Sequence, residues 1–377
     1  MFGKRIKLFK LLGFEVSLDM SWLIIFVLIT WTLAEGVFPN YYKNLSIITY
    51  WLMGLAGALG LFLSIILHEL SHSLVARKFN LPIKGITLFI FGGIAQMEEE
   101  PESPKAEFFM AIAGPLMSIF LGGVFYLVYI QGQKIGLPEP VNGIFGYLRL
   151  LNFVLAAFNL LPAFPLDGGR VFRAALWQIK NDLQWATRIA SNIGSIFGFI
   201  FIALGVFMFL RGAFITGVWW SLIGLFMRNA SSTAYRRMQL TEILKGQKVK
   251  KFMKTNPISI SSSLTLKELV EDYIYTYHYK MFPVLKDDKL LGCITTREVK
   301  NMPVEKWQSI KVEEAMNKCS PENTISPEDD AIEALQKIKK SGNSRLMVTE
   351  NDKLIGIITL KDLVEFFSLK FDLEGEK

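Results

Sequence analysis

Residues 63–77 read LSIILHELSHSLVAR, and they sit inside an apolar run from Ile48 to Val75 that is long enough to cross a bilayer. In lipid such a run is helical, because nothing outside the chain can satisfy its backbone groups. A helix advances about 100° per residue, so His68 and His72 share a face, and both imidazoles can reach one metal ion with Glu69 between them. Charged groups near a bilayer centre cost roughly 2.5–3.5 kcal/mol each on insertion scales. The cluster therefore speaks for a function rather than for a polar patch satisfied by its helix neighbours. The run is about 29 residues, or roughly 43 Å of helix, against a hydrocarbon thickness of about 30 Å, so it must tilt or protrude. Counted back from Arg77 at the interface, His68 lies roughly 13 Å deeper.

Working outward, five more apolar segments flank this one, giving six expected spans at roughly 18–38, 48–76, 107–130, 144–163, 187–210 and 213–230. The last two, separated only by Arg211 and Gly212, form either a tight hairpin or one bent unit. The first begins after a basic stretch, as a signal peptide does. It has no small-residue cleavage site, so it is read as a retained anchor. Between the second and third spans, Ile83 to Met97 is β-branched and broken by Gly92 and Gly93. It is too short to span, so strands or a re-entrant loop near the metal are expected. Glu98, Glu99, Glu100 and Glu102 follow as a solvated acidic loop.

The chain has 377 residues, 51% of them hydrophobic, and a net charge of +7. That charge could suggest nucleic acid, but the basic residues cluster at the ends of apolar segments. Lys4, Arg5, Lys7 and Lys10 precede the first; Arg77, Lys78, Lys84 and Lys105 follow the second. Arg170, Arg173, Lys180 and Arg188 follow the fourth, and Arg228, Arg236 and Arg237 the sixth. The alternate loops carry little beyond Lys43, Lys134 and Arg211. Positive-inside placement accounts for this pattern without a nucleic-acid partner, and it puts both termini in the cytoplasm of a multi-pass cell-membrane protein. Cys293 and Cys319 then face reducing conditions, so no disulfide is expected.

Beyond about residue 230 the composition becomes that of a water-soluble α/β domain. Residues 1–232 form the membrane domain and 233–248 a basic linker. Two copies of a β-α-β-β-α unit follow, over 249–305 and 306–370. Their clearest signature is Gly292-Cys-Ile-Thr295-Thr-Arg-Glu298 and Gly356-Ile-Ile-Thr359-Leu-Lys-Asp362. Neither copy alone buries both faces of its small sheet, so the two are expected to pair.

Two histidines do not complete a catalytic zinc site, which takes three protein ligands and leaves one position for water. His278 falls in the soluble half. The third ligand is therefore expected to be a carboxylate at the same depth, and Asp167, in NLLPAFPLDGG (residues 159–169), is the candidate. Pro162, Pro165, Gly168 and Gly169 break the helix there and let the backbone aim that side chain inward. Capping of the following helix is its other natural role. Glu69, between the two imidazoles, is placed to take a proton from water and deliver it to a leaving amine. Asn159 either bonds substrate backbone or an oxyanion, or makes an interhelical bond. Gly114-Pro115 permits close helix contact. The Gly92-Gly93 segment could pair with an unwound substrate by β-augmentation, since a helical peptide bond is shielded.

These residues resemble the site-2 protease family of intramembrane zinc metalloproteases over roughly residues 15–230. The resemblance is carried, in order, by His68-Glu69-x-x-His72, Phe91-Gly92-Gly93, Ser103-Pro104 with Glu107-Phe108, Ala113-Gly114-Pro115, and Asn159 through Gly169. It implies zinc on His68, His72 and Asp167, Glu69 as the base, and substrates that are transmembrane segments of other membrane proteins. The C-terminal repeat resembles a tandem pair of CBS modules. That resemblance implies an adenine nucleotide held through Thr295, Thr359 and Asp362, with Glu298 replacing the usual Asp in the first copy, and a homodimer. Modules that only dimerise are the other reading. CBS pairs also occur on channels and transporters, but the six segments show no inverted symmetry.

Overall fold

The computed structural model describes residues 5–89, 92–97, 101–341, 344–351 and 353–374. The expected acidic loop at Glu98 to Glu100, and Phe91, lie outside them. The chain divides into two compact units, Met1–Arg236 and Arg237–Lys377.

The first unit opens on a hairpin that the sequence reading did not anticipate. Strands β1 (Arg5–Leu11) and β2 (Phe14–Asp19) turn at Leu12 and Gly13, both with positive φ. Phe14 and Val16 are buried, a period-2 alternation short enough to pass for the basic lead-in to a span. Helix α1 (Ser21–Tyr41) follows, and then α2 (Ile47–Lys78), capped by Ser46, which accepts from the Thr49 N–H. The stretch after α2 folds as β3 (Ile83–Phe89) and β4 (Gly92–Met97), one of the two expected outcomes. The sheet runs β1-β2-β3-β4, with β2 and β3 parallel and the outer pairs antiparallel.

Helix α3 (Pro104–Lys134) begins at the Ser103 cap, with Pro104 in the first turn where its missing N–H costs nothing. Helix α4 (Glu139–Asn159) ends four residues earlier than the expected limit at 163, because Pro162 cannot donate back into a helix and biases its predecessor toward extended backbone. Amphipathic α5 (Asp167–Lys180) leads to α6 (Leu183–Leu210) and α7 (Phe214–Leu244).

Five helices among the described residues are long and apolar enough to cross a membrane: α1, α2, α3, α4 and α6. Helix α7 is not among them: its apolar start gives way to Arg228 and Asn229. It folds back on α6 as a tight hairpin, with Gly212 at φ +84° in the turn. Glycines meet across that hairpin. A Cβ on Gly198 would stand 2.8 Å from the Gly224 carbonyl oxygen, and one on Gly217 would stand 2.7 Å from that of Gly205.

In the second unit, the stretch read as a linker is helical through Leu244. Each repeat then contributes three strands to its own sheet and receives a fourth from the opening segment of the other repeat. The first sheet is β6 (Ile260–Ser261), β7 (Met281–Lys286), β8 (Lys289–Thr295) and β9 (Asn317–Lys318). The second is β10 (Thr324–Ile325), β11 (Arg345–Glu350), β12 (Lys353–Thr359) and β5 (Lys254–Thr255). The signature glycines make this exchange possible. A Cβ on Gly292 would overlap the Asn317 carbonyl of β9, and one on Gly356 would stand 2.9 Å from the Lys254 oxygen of β5. Met281, Cys293 and Met347 pack together between the two copies.

Candidate metal centre

Helical spacing puts His68 and His72 on one buried face of α2, with their Nε2 atoms 3.2 Å apart. Asp167 is the first residue of α5, brought there after the chain breaks at Pro162 and Pro165. Its Oδ2 lies 3.1 Å from His68 Nε2 and 3.2 Å from His72 Nε2. It does not cap its helix: the capping position belongs to Leu166, and no side chain fills that role. His68, His72 and Asp167 are a set that could hold a metal ion. Tetrahedral ligands about 2.0–2.1 Å from zinc stand roughly 3.3–3.4 Å from one another, so the three atoms are spaced to suit an ion of that size.

The rings are braced from behind by α3. His72 Nδ1–H donates to the Met110 carbonyl at 2.6 Å, which turns that ring's Nε2 lone pair inward, and His68 Nδ1 is hydrogen-bonded to Ser118 Oγ at 2.8 Å. Gly114 lies between these two supports. A Cβ there would overlap Nε2 of both histidines, so only glycine lets α3 approach this closely.

A cavity of about 500 Å³ opens onto the cluster. Its lining includes His68, Glu69, Gly93, Asn159 and Asp167, among the positions singled out in the sequence, but not His72 or Gly92; Ile25, Phe62 and Phe158 are among its apolar walls. Gly93 of β4 packs on the Glu69 side chain, where a Cβ would collide with Cγ. Asn159 Nδ2 donates to the Leu155 carbonyl one turn back at 3.0 Å, using one of the amide's four hydrogen-bonding positions.

Sequence reasoning missed Met110 and Ser118, because a backbone carbonyl and a serine on another helix carry no motif. It also counted Arg173 only among the basic residues that follow the fourth span. In the structure Arg173 is buried against Glu107, which is fully buried. The available signal was a glutamate at the mouth of a spanning helix, a position that demands a partner.

In the second unit, a cavity of about 550 Å³ is lined by Lys280, Thr295, Arg297, Glu298, Lys318 and Arg345, among others. Thr295 and Glu298 form a capping box for the helix Thr296–Lys300. Burial works against the charged form of Glu298, but hydrogen bonds from Thr295 and Asn317 outweigh it and hold the carboxyl below its usual range. Thr359 and Asp362 are joined in the same way, Thr359 Oγ1 donating to Asp362 Oδ2 at 2.6 Å, and Lys254 Nζ lies 3.3 Å from Asp362 Oδ1. Neither of them lines this cavity.

Known proteins resemble this chain over both of its units. The model of peptidase family M50 matches residues 56–143 and 137–205, and that of the CBS domain matches 249–304 and 312–369. A Synechocystis sp. protein named as a zinc metalloprotease is 32% identical, covering 96% of this chain and 95% of its own. A zinc metalloprotease of Methanocaldococcus jannaschii is 31% identical, covering 97% of this chain and 96% of its own. The solved site-2 protease from Methanocaldococcus jannaschii is 31% identical over 62% of this chain and 95% of that one, with a TM-score of 0.41. Since relatives of this kind match it almost from end to end, the chain belongs to peptidase family M50, as a zinc metalloprotease of the intramembrane, site-2 type with a tandem CBS pair.

Proposed function

We propose that His68, His72 and Asp167 hold one zinc ion and that Glu69 is the general base for hydrolysis of peptide bonds in transmembrane segments of other membrane proteins. The observation that carries this is the convergence of three possible ligand atoms from two separate helices, with His68 and Asp167 lining the same cavity as Glu69. A zinc ion bound there would polarise the scissile carbonyl and lower the pKa of water toward about 7. Glu69 takes the proton from the attacking water and passes it to the leaving nitrogen. Met110 and Ser118 keep both imidazoles in the tautomer that leaves Nε2 free to ligate. Strand β4 is an edge of its sheet, so its backbone at Gly92 and Gly93 can pair with an extended substrate segment. Asn159 has hydrogen-bonding positions to spare for that same backbone. Asp167→Ala and His68→Ala are expected to drop bound zinc in purified protein from about one per chain toward zero. Unchanged metal content in Asp167→Ala would move the third ligand elsewhere.

In this reading the apolar start of α7 is a sixth span, supported by its close antiparallel packing along α6. The basic clusters then put both termini and the CBS pair in the cytoplasm. The CBS pair takes an adenine nucleotide in the cavity beside Thr295, where Lys280, Arg297, Lys318 and Arg345 suit phosphate groups. It is also the natural surface for a homodimer. Calorimetric titration with ATP, ADP and AMP should show saturable heat for at least one of them, weakened about tenfold or more by Arg345→Ala. No heat with any of the three would leave the pair a structural role.

A further inference from the structure

Glu107 and Arg173 form a buried ion pair that the chemistry above does not use. Glu107, on α3, has no exposed surface, and Arg173, on α5, is 6% exposed. Arg173 Nε donates to Glu107 Oε1 at 2.8 Å, and Nη2 donates to the same oxygen. The guanidinium is held on two more sides, by Thr187 Oγ1 at 3.4 Å and by the Phe164 ring, with 5.0 Å to its centroid. A buried ion pair is a poor way merely to glue two helices, since apolar side chains of similar volume do as well or better. What it supplies is register, because a fork of donors on one carboxylate oxygen tolerates little sliding.

Its location gives that register a use. Glu107, Met110, Gly114 and Ser118 follow one another at helical spacing along one face of α3, and the last three touch the two imidazoles. Arg173 lies in the turn of α5 that follows Asp167, and Phe164 is in the break just before it. The pair thus joins the helix that braces the histidines to the helix that delivers the aspartate. We propose that Glu107 and Arg173 are positioning residues that set the Asp167 carboxylate against the two imidazoles. This rests on those three residues being the metal ligands.

The test measures half-saturating free zinc in buffered titrations of full-length protein in detergent, alongside kcat and KM on a transmembrane reporter substrate. Glu107→Gln and Arg173→Gln are expected to raise half-saturating zinc about 10–100-fold, the range for groups that orient metal ligands, and to lower kcat with KM nearly unchanged. Arg173→Lys, which keeps the charge but loses the fork, should fall between these and the parent. The visible spectrum of the cobalt-substituted Glu107→Gln protein should shift, reporting altered ligand geometry. If single variants fail to fold, the doubly neutral Glu107→Gln/Arg173→Gln protein removes both buried charges of the pair, leaving the partly exposed Arg170, whose Nε lies 3.8 Å from Glu107 Oε1, and its half-saturating zinc should still be raised. Parent-like zinc affinity and cobalt spectrum in any folded variant would overturn the proposal and reduce the pair to a fastener. Asp167→Ala, run beside them, separates the two ideas: if it also keeps parent zinc affinity, the ligand assignment itself has failed.

Discussion

Glu69→Gln is expected to yield a folded, zinc-loaded protein whose cleavage of a transmembrane reporter falls by about 10²–10⁴-fold, the usual contribution of a positioned general base. The substitution is nearly isosteric, so the packing of Gly93 on this side chain survives. None of the three converging ligand atoms belongs to Glu69, so metal content should remain that of the parent. An amide cannot take the proton from water, and the loss should therefore appear in kcat rather than in KM. Elemental analysis and a cleavage assay on the same preparation check both halves. Cleavage at the parent rate would show that the proton goes elsewhere.

The second large effect is expected from a single methyl group. In Gly114→Ala the new Cβ would overlap Nε2 of both His68 and His72 and stand 2.6 Å from His72 Cε1. Neither ring can turn aside without giving up its bond to Met110 or Ser118. Helix α3 must retreat instead, and that strain costs about 1–3 kcal/mol in a well-packed interior. Because the displaced groups are the proposed ligands and their supports, zinc affinity should fall by at least about tenfold and activity by about 100-fold. Gly123→Ala on the same helix is the control. Its Cβ meets nothing within 4 Å, so it should be neutral or gain about 1 kcal/mol from helix propensity. Equal metal affinity in both variants would show that the contact at Gly114 is not limiting.

What could be read before folding divides along a physical line. His68 and His72 were legible as a pair because helical spacing is a local property, and lipid forces the helix. Asp167 could be found by depth and by the scarcity of carboxylates in the apolar half. That it faces the two imidazoles rather than caps its helix depended on how the backbone turns between Asn159 and Asp167. Strand exchange between the CBS copies escaped notice because β5 and β9 are two residues long, too short for any periodicity.

The sequence by itself determined the spanning helices, the metal motif and the doubled soluble module, since each follows from neighbours a few residues apart or from the solvent a segment requires. Only the tertiary structure decided that Met110, Gly114 and Ser118 brace the imidazoles, and that Glu107 meets Arg173 across 66 residues of chain. Those contacts join helices whose mutual register is set by close packing, and no local pattern in either helix carries that information.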